Sequence, residues 1–368
     1  ATLIADEVLP GKKYNYSLKI DGKTYIRSYP LSFQSQTLWQ HRQPAPDFKF
    51  AVGSCTYINE PQFDRPLKKP TDLPYGGGYE IFETIAQQQP DFMLWGGDNI
   101  YLREPDWGTR TGIYHRNSHA RSIPEMEKLL ATTHHYAIWD DHDYGPNDAD
   151  RSFVHKQIAY EAFQDFWPNL NTNATGQGGN TGTFMWNDVQ FFLLDDRWFR
   201  APNKESNPEK DYFGKAQINW LLDQLEYSNA PFKIIVAGGQ ILSPVAKYEN
   251  YATYPKEREY LIAEIARRKI KGILFISGDR HHTELTKLDR PETYPLYDLT
   301  CSPLTSTANI YSSDEGNTNR IAYTYINQRN FGLIEVKGDK ENRSLIIHIL
   351  DNQGKQLWER TIKANELK

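Results

Sequence analysis

Six short apolar runs punctuate the middle of the chain, at residues 49–52, 92–95, 135–139, 189–194, 233–237 and 273–276. Each reads as a buried strand. Helices are predicted between them, over 79–88, 123–132, 152–166, 215–229 and 257–269. Strands alternating with helices predict an α/β fold with a mainly parallel sheet covered on both faces. Late in the chain the pattern changes. Residues 294–300, 330–337, 344–350 and 356–361 are predicted strands with no helix between them. They suggest a second, antiparallel-leaning sheet packed on the first.

The first 45 residues follow a different rhythm. Residues 14–20 alternate polar and apolar, Asp21-Gly22 supplies a hairpin turn, and 23–29 return. Leu9-Pro10-Gly11 followed by Tyr14 and Tyr16 resembles the tyrosine-corner region of a fibronectin-like sandwich. Too few strands are present for a free-standing sandwich. Residues 1–45 are therefore expected to be a partial fibronectin-like β-domain that packs on the main domain or has lost partners. Gln43-Pro44-Ala45-Pro46 reads as a linker, and the main domain is expected over 46–368. Residues 171–182, polar and Gly-rich, read as a mobile loop.

Composition narrows the function classes. The chain has 368 residues, 39% hydrophobic and 24% charged, ordinary for a globular protein. A net charge of -5 argues against a nucleic-acid-binding surface, which needs excess Lys and Arg. No stretch approaches the ~20 apolar residues of a membrane span. Two cysteines, Cys55 and Cys301, do not make a disulfide framework.

The residues just past the strands point to chemistry. Residues 92–95 lead into Gly97-Asp98-Asn99-Ile100-Tyr101, and 273–276 into Ser277-Gly278-Asp279-Arg280-His281-His282. A third run leads into Asp140-Asp141-His142-Asp143, and a fourth ends at Gly53-Ser54-Cys55. Charge clustered at buried strand ends is costly unless a cation sits there. Asp98 and Tyr101, three residues apart, either aim at one point as ligands or are a turn aspartate and a packing tyrosine, and Cys55 is either a ligand or a buried small hydrophobe. A phenolate with a thiolate favours a trivalent metal. Asp279 and His281 are candidate ligands, while His282 reads as a hydrogen-bonded loop histidine. Adjacent carboxylates at Asp140 and Asp141 repel, and a metal ligand beside a proton-donating His142 would use that arrangement. Arg197 and Arg200 come after another strand end and either fork onto phosphate oxygens or pair with Asp195 or Asp196. Arg116 and Arg121 are candidate substrate contacts. Gln240 stands where a further site residue can enter. Trp107, Tyr114, Trp198 and Phe199 are aromatics that either contact a substrate or pack.

Taken together, these motifs resemble the PhoD-type alkaline phosphatase family, a branch of the calcineurin-like metallophosphoesterases. The resemblance also rests on Leu194-Asp195-Asp196-Arg197 and on residues 214–221, and it runs from about Phe48 to the late strands. It implies two packed mixed β-sheets flanked by helices, a four-layer sandwich, preceded by a β-domain. It implies hydrolysis of phosphate esters by a hydroxide bound at an iron–calcium pair. Cys55, Asp98, Tyr101 and His281 would hold Fe3+. Asp98 would bridge to Ca2+, with Asp279 and either Asp141 or Asn147 completing the second site. Zinc or manganese are the alternative metals. The Asp-x-x-Tyr spacing is also similar to that of purple acid phosphatases. In the wider superfamily the third motif reads Gly-Asn-His-Glu, where this chain has Asp140-Asp141-His142-Asp143.

In this reading His142 protonates the leaving group, and Arg197, Arg116 and Asn147 contact the substrate. That substrate is a small phosphate ester or a phospholipid. A secreted or periplasmic enzyme is expected, with its signal peptide already removed. The rival readings are a hydrolase of another anionic ester, such as a sulfate ester, and a non-catalytic metal-binding surface protein.

Overall fold

The computed structural model describes residues 3–69, 71–309 and 312–368. The N-terminal segment forms two small ribbons. In one, β1 (Lys13–Asn15) pairs antiparallel with a later strand; in the other, β2 (Lys19–Ile20) pairs with β3 (Lys23–Thr24). The partner of β1 is β4 (Ser32–Gln34). Tyr14 Oη accepts a hydrogen bond from Leu9 N at 2.7 Å. The segment leans on the main body. Tyr16 Oη donates to Ala131 O at 2.7 Å, and Tyr29 Oη donates to Glu127 at 3.0 Å.

The main body opens with β5 (Phe48–Gly53), α1 (Glu80–Gln87), β6 (Phe92–Gly96), α2 (Arg110–Ala120), α3 (Pro124–Thr132) and β7 (His134–Ile138). Then come α4 (Asp141–Tyr144), α5 (Lys156–Phe166), β8 (Gly182–Trp186), β9 (Val189–Leu193), α6 (Lys215–Tyr227) and β10 (Lys233–Val236). The chain continues through α7 (Pro255–Arg267), β11 (Ile273–Ser277), β12 (Glu284–Leu288) and β13 (Leu296–Thr300). It closes on the meander β14 (Asn330–Lys337), β15 (Ser344–Asp351) and β16 (Gln356–Lys363).

These strands make two six-stranded mixed sheets, ordered β16-β15-β14-β5-β6-β7 and β12-β13-β11-β10-β9-β8. The period-2 geometry of a strand explains why the apolar runs do not alternate. Phe50, Phe92, Leu94 and Tyr136 point to the core between the sheets. Ala51, Met93, Trp95 and Ala137 point to a second core beneath the outer helices α1, α2, α3 and α5. Aromatic contacts join the sheets: Phe50 meets Phe191 edge-on at 5.3 Å, and Tyr136 stacks on Phe184 at 3.6 Å. Ile218, Leu221, Leu261 and Ile265 of α6 and α7 cover the other side of the second sheet. The result is a four-layer α/β sandwich.

Two expectations need correction. The late strands do not form a sheet of their own. β14 pairs antiparallel with β5, while β13 runs parallel to β11 in the other sheet. The edge of the three-stranded unit β5-β6-β7 offers unpaired N–H and C=O groups, and β14 satisfies them. Helix α2 lies where no helix is predicted, because its inward residues Ile113, Arg116, Asn117 and Ala120 make no apolar stripe. The Gly-rich segment 171–182 is tied down by Asn173 N to Gly179 O at 3.1 Å and Ala174 N to Thr181 O at 2.9 Å. It leads straight into β8.

Gly278 lets the two sheets meet at one end. A Cβ there would lie 2.6 Å from Gly96 O and from Ser54 Oγ. Only a residue without a side chain permits this approach. It draws the carboxyl ends of β5, β6 and β11 together.

Candidate metal centre

In open α/β sheets, ligand sites gather beyond the carboxyl ends of the strands. Here those ends carry Cys55 after β5, Asp98 and Tyr101 after β6, Asp141 and His142 after β7, and Asp279 and His281 after β11. Four of these residues adopt left-handed backbone: Cys55 at φ 60°, Asp98 at 51°, Asp279 at 65° and His281 at 53°. Such conformations are uncommon without glycine and concentrate where function requires a particular aim. Local bonds hold them. Cys55 N donates to Gly97 O at 3.2 Å, Thr56 N to Asp98 O at 2.8 Å, and His281 N to Ser302 Oγ at 2.9 Å.

The side chains converge. Donor atoms of Cys55, Asp98 and His281 lie within 4.8 Å of one another. Tyr101 Oη is 3.0 Å from His281 Nε2. His281 Nδ1 lies 2.8 Å from Thr307 O. A carbonyl only accepts, so Nδ1 carries the hydrogen and the Nε2 lone pair faces the cluster. Ser302 Oγ donates to Cys55 Sγ at 3.0 Å, orienting the sulfur. A second group joins Asp98, Asp141 and His142, and a third joins Asp141, Asp148 and Glu249, each again within 4.8 Å.

Among the described residues several buried oxygens lack a hydrogen-bond partner, and two of them, Asp98 Oδ1 and Asp279 Oδ2, stand in this cluster, the latter 4.0 Å from Arg280 Nε. In a protein interior such atoms are costly, and an ion is one way to satisfy them. The electrostatics agree. Burial pushes the Cys55 thiol up to about 11. Burial, then Asp141 and Cys55, hold Asp98 well above the usual carboxylate range. Burial and Asp98 do the same to the Tyr101 phenol. Burial lifts Asp279 to about 7 despite neighbouring Arg280. Asp141 moves the other way: burial opposes its charge, but His142 and Arg197 prevail and hold it low. A multivalent cation there would oppose the upward shifts and favour the ionised, ligating forms of these groups. The donor set of thiolate, phenolate, imidazole and carboxylate suits iron on the Cys55 side, and the oxygens around Asp98, Asp279 and Asp141 suit calcium.

A cleft of about 600 Å³ opens over these groups, lined among others by Tyr75, Asp98, Asp141, His142 and Asp279. Asn147 lines it too, exposed, with its Nδ2 donated to Asp148 at 2.6 Å. Asp141 is buried, and its two oxygens accept from His142 N at 2.9 Å and Asp148 N at 2.7 Å. The His142 ring lies 4.2 Å from that of Tyr101.

Arg116, Arg121, Arg197 and Arg200 do not line the cleft, whereas Arg280 does. Arg197 is 1% exposed, with Nε on Asp140 at 2.6 Å, Nη2 on Glu249 at 2.6 Å and Nη1 on Ala149 O at 3.3 Å. Its fork is consumed by carboxylates, so the structural-bridge alternative describes it, with Asp140 and Glu249 as main partners and Asp196, one of the two expected, at 3.8 Å. Arg116 is also buried, held by Glu60 at 2.7 Å and Asp106 at 2.8 Å. It lies away from the cleft, as does Arg121, whose guanidinium covers Trp167. Arg200 pairs with Glu249 at 3.4 Å. Gln240 is no ligand: it donates to Glu284 and Thr300 and accepts from Arg280 at 2.7 Å. Trp107, Tyr114 and Trp198 pack on the outer core, and Phe199 lines a separate surface hollow. His282 Nδ1 lies 3.1 Å from Arg280 O, a buried loop histidine.

Other members of the site escape sequence reasoning. Glu249 lies in a loop with no strand before it. Ser302 and Ser306 are ordinary in sequence and gain meaning only beside Cys55. Asp148 stands in the acidic segment after β7, and that richness in carboxylates is its one available signal.

Residues 50–344 match the family described as PhoD-like phosphatase. Alkaline phosphatase D of Bacillus subtilis (strain 168) is 24% identical over 326 residues, covering 75% of this chain and 52% of that protein. The chain thus spans about half the length of this curated relative. A solved structure of PhoD matches with a TM-score of 0.72 at 16% identity, over 96% of this chain and 77% of that one. Purple acid phosphatase PPD1 from yellow lupin (Lupinus luteus) seeds matches with a TM-score of 0.66 at 14% identity, over 97% and 60%. At these identities the structural likeness shows a shared fold. Among the described residues, no helix is long and apolar enough to cross a membrane.

Proposed function

This chain belongs to the PhoD-like phosphatase family, and on that premise we propose that it hydrolyses phosphate esters at a centre of two metal ions. Cys55, Asp98, Tyr101 and His281 would hold ferric iron. Asp98, Asp279 and Asp141 would hold calcium, with Asn147 as the alternative to Asp141. One observation carries the reading: a thiol, a carboxylate and an imidazole converge within 4.8 Å beside two orphaned buried oxygens. Bound there, such ions would act as Lewis acids on the phosphoryl oxygens and lower the pKa of a water.

The chain's own residues set the geometry. Ser302 orients the Cys55 sulfur, and Thr307 O selects the His281 tautomer. Asp141 is kept ionised by His142 and Arg197 against its burial. His142 opens on the cleft and is placed to carry a proton to the leaving alkoxide. Its grouping with Asp98 and Asp141 favours a second reading, in which it is a ligand. His142→Asn separates the two. A proton donor matters for alkyl esters and little for esters of acidic phenols. A ligand matters for both and lowers the metal content. The substrate is a small phosphate ester, and a secreted or periplasmic location is part of the same proposal, testable by cell fractionation.

Elemental analysis of the purified protein, with rates on phenyl phosphate, diphenyl phosphate and phenyl sulfate, tests the whole. Iron and calcium, a visible tyrosinate charge-transfer band and phosphate-ester cleavage are expected. A colourless active protein holding only zinc or manganese overturns the metal assignment. Preferential cleavage of the sulfate overturns the substrate class. Undiminished hydrolysis in Asp98→Asn sinks the proposed centre.

A further inference from the structure

Tyr248 is 61% exposed, yet it is not a loose surface side chain. Its φ is 46°, and that of Glu249 is 56°. Two successive left-handed residues other than glycine are strained, and something must hold them. Glu249 does so. Its carboxylate accepts from Arg197 at 2.6 Å and Asn203 at 2.9 Å, and Arg200 donates to its carbonyl. The strain turns Glu249 inward and leaves Tyr248 on the cleft wall.

One face of the Tyr248 ring is backed by Arg280, whose Cζ lies 4.8 Å from the ring centroid. Arg280 is fixed in turn by Gln240 Oε1 at 2.7 Å and Glu315 Oε2 at 2.6 Å. The ring is therefore oriented before any ligand arrives, which reduces the ordering cost of stacking on it. Both supports adjoin the metal centre. Glu249 belongs to the group with Asp141 and Asp148, and Arg280 follows Asp279 directly. The cleft of about 600 Å³ falls in the range of sites that enclose a whole small molecule, more than a phosphoryl group needs.

We infer that Tyr248 forms a leaving-group subsite that takes a flat aromatic group, stacked on the ring face opposite Arg280. The inference rests on the phosphoesterase reading and adds a specificity-determining residue to it. Benzyl phosphate and cyclohexylmethyl phosphate test it, because both leave as primary alkoxides and differ in the flatness of the ring. In Tyr248→Ala, KM for benzyl phosphate rises about fivefold to tenfold with little change in kcat, while KM for the cyclohexylmethyl ester rises about twofold or less. Tyr248→Phe keeps the parent's preference, because stacking needs the ring and not the hydroxyl. Equal changes on the two esters, or none on benzyl phosphate, overturn the subsite and leave the phosphoesterase reading intact. A parent protein inert on both esters but active on diphenyl phosphate overturns the subsite alone, and one inert on all three overturns the phosphoesterase reading with it.

Discussion

Arg197 offers the sharpest test of whether a strand-end arginine serves the substrate or the fold. Replacing it by Met keeps much of the volume and removes the charge. Asp140, Asp196 and Glu249 then remain buried around an uncharged side chain. Breaking one partner out of a buried ion pair costs about 3–5 kcal/mol. Burial already holds Asp140 well above the usual carboxylate range, with Arg197 the main group opposing that rise. Without the arginine Asp140 takes up a proton, which limits the loss to that range. Glu249 behaves differently. Burial opposes its charge, but Arg197 and Arg200 hold it below the ordinary 4.5. A carboxylate depressed in the folded state contributes stability above its unfolded pKa and loses it as pH falls through the folded one. Arg197→Met removes most of that contribution. Its deficit is therefore largest near neutral pH and shrinks below about 4.5. Urea unfolding at pH 7.5 and at pH 3.5 reads both numbers, and the thermal midpoint at neutral pH drops by roughly 4–6 °C. Adding Asp140→Asn to Arg197→Met recovers about 1 kcal/mol or more, because the two groups are coupled. A variant within about 0.5 kcal/mol of the parent, with KM raised tenfold or more, would refute the bridging role and return Arg197 to the phosphate.

Three further outcomes are expected from the geometry. Gly278→Ala forces a Cβ to 2.6 Å from Gly96 O and Ser54 Oγ, so the sheets part at the site; a loss of about 1–3 kcal/mol in urea together with lower metal content is expected, and a parent-like variant contradicts the close-approach role. Ser302→Ala removes the donor to Cys55 Sγ and the acceptor for His281 N; iron retention in a chelator competition falls about 10- to 100-fold, and unchanged retention rules out an orienting role. His135 accepts from Trp95 Nε1 at 3.0 Å and donates to Leu129 O at 3.1 Å, and burial holds its pKa down at about 4 from 6.5. As pH falls from 6.5 towards 4 the unfolded chain takes a proton that the folded one refuses. Stability drops by up to about 3 kcal/mol over that window; in His135→Phe this part of the slope disappears, and an identical slope in parent and variant counts against it.

Much of the architecture is legible because burial writes itself into composition. Runs such as Phe92 to Trp95 must lie between two apolar layers, and each has a strand there. Helix α2 is illegible for the converse reason: its inner face is built from Arg116 and Asn117, satisfied by distant carboxylates and its own backbone. The pairing of β14 with β5 is also hidden, since nothing local in either strand names a partner almost three hundred positions away.

The candidate site divides along the same line. Residue types and their place after a strand belong to the sequence: Cys55, Asp98, Tyr101, Asp279 and His281 could be named because charge and thiol at a buried strand end require compensation. Partner choice belongs to the tertiary structure. Arg197 and Asp141 each have two readings along the chain. Folding commits the arginine to Asp140 and Glu249 and brings Asp141 beside Asp98. Glu249, Ser302 and Tyr248 come into view only there. An ion pair or a metal shell depends on distances of a few ångströms across elements remote in sequence. Local propensity specifies which group stands at the end of a strand, and only the packing of the two sheets specifies what that group meets.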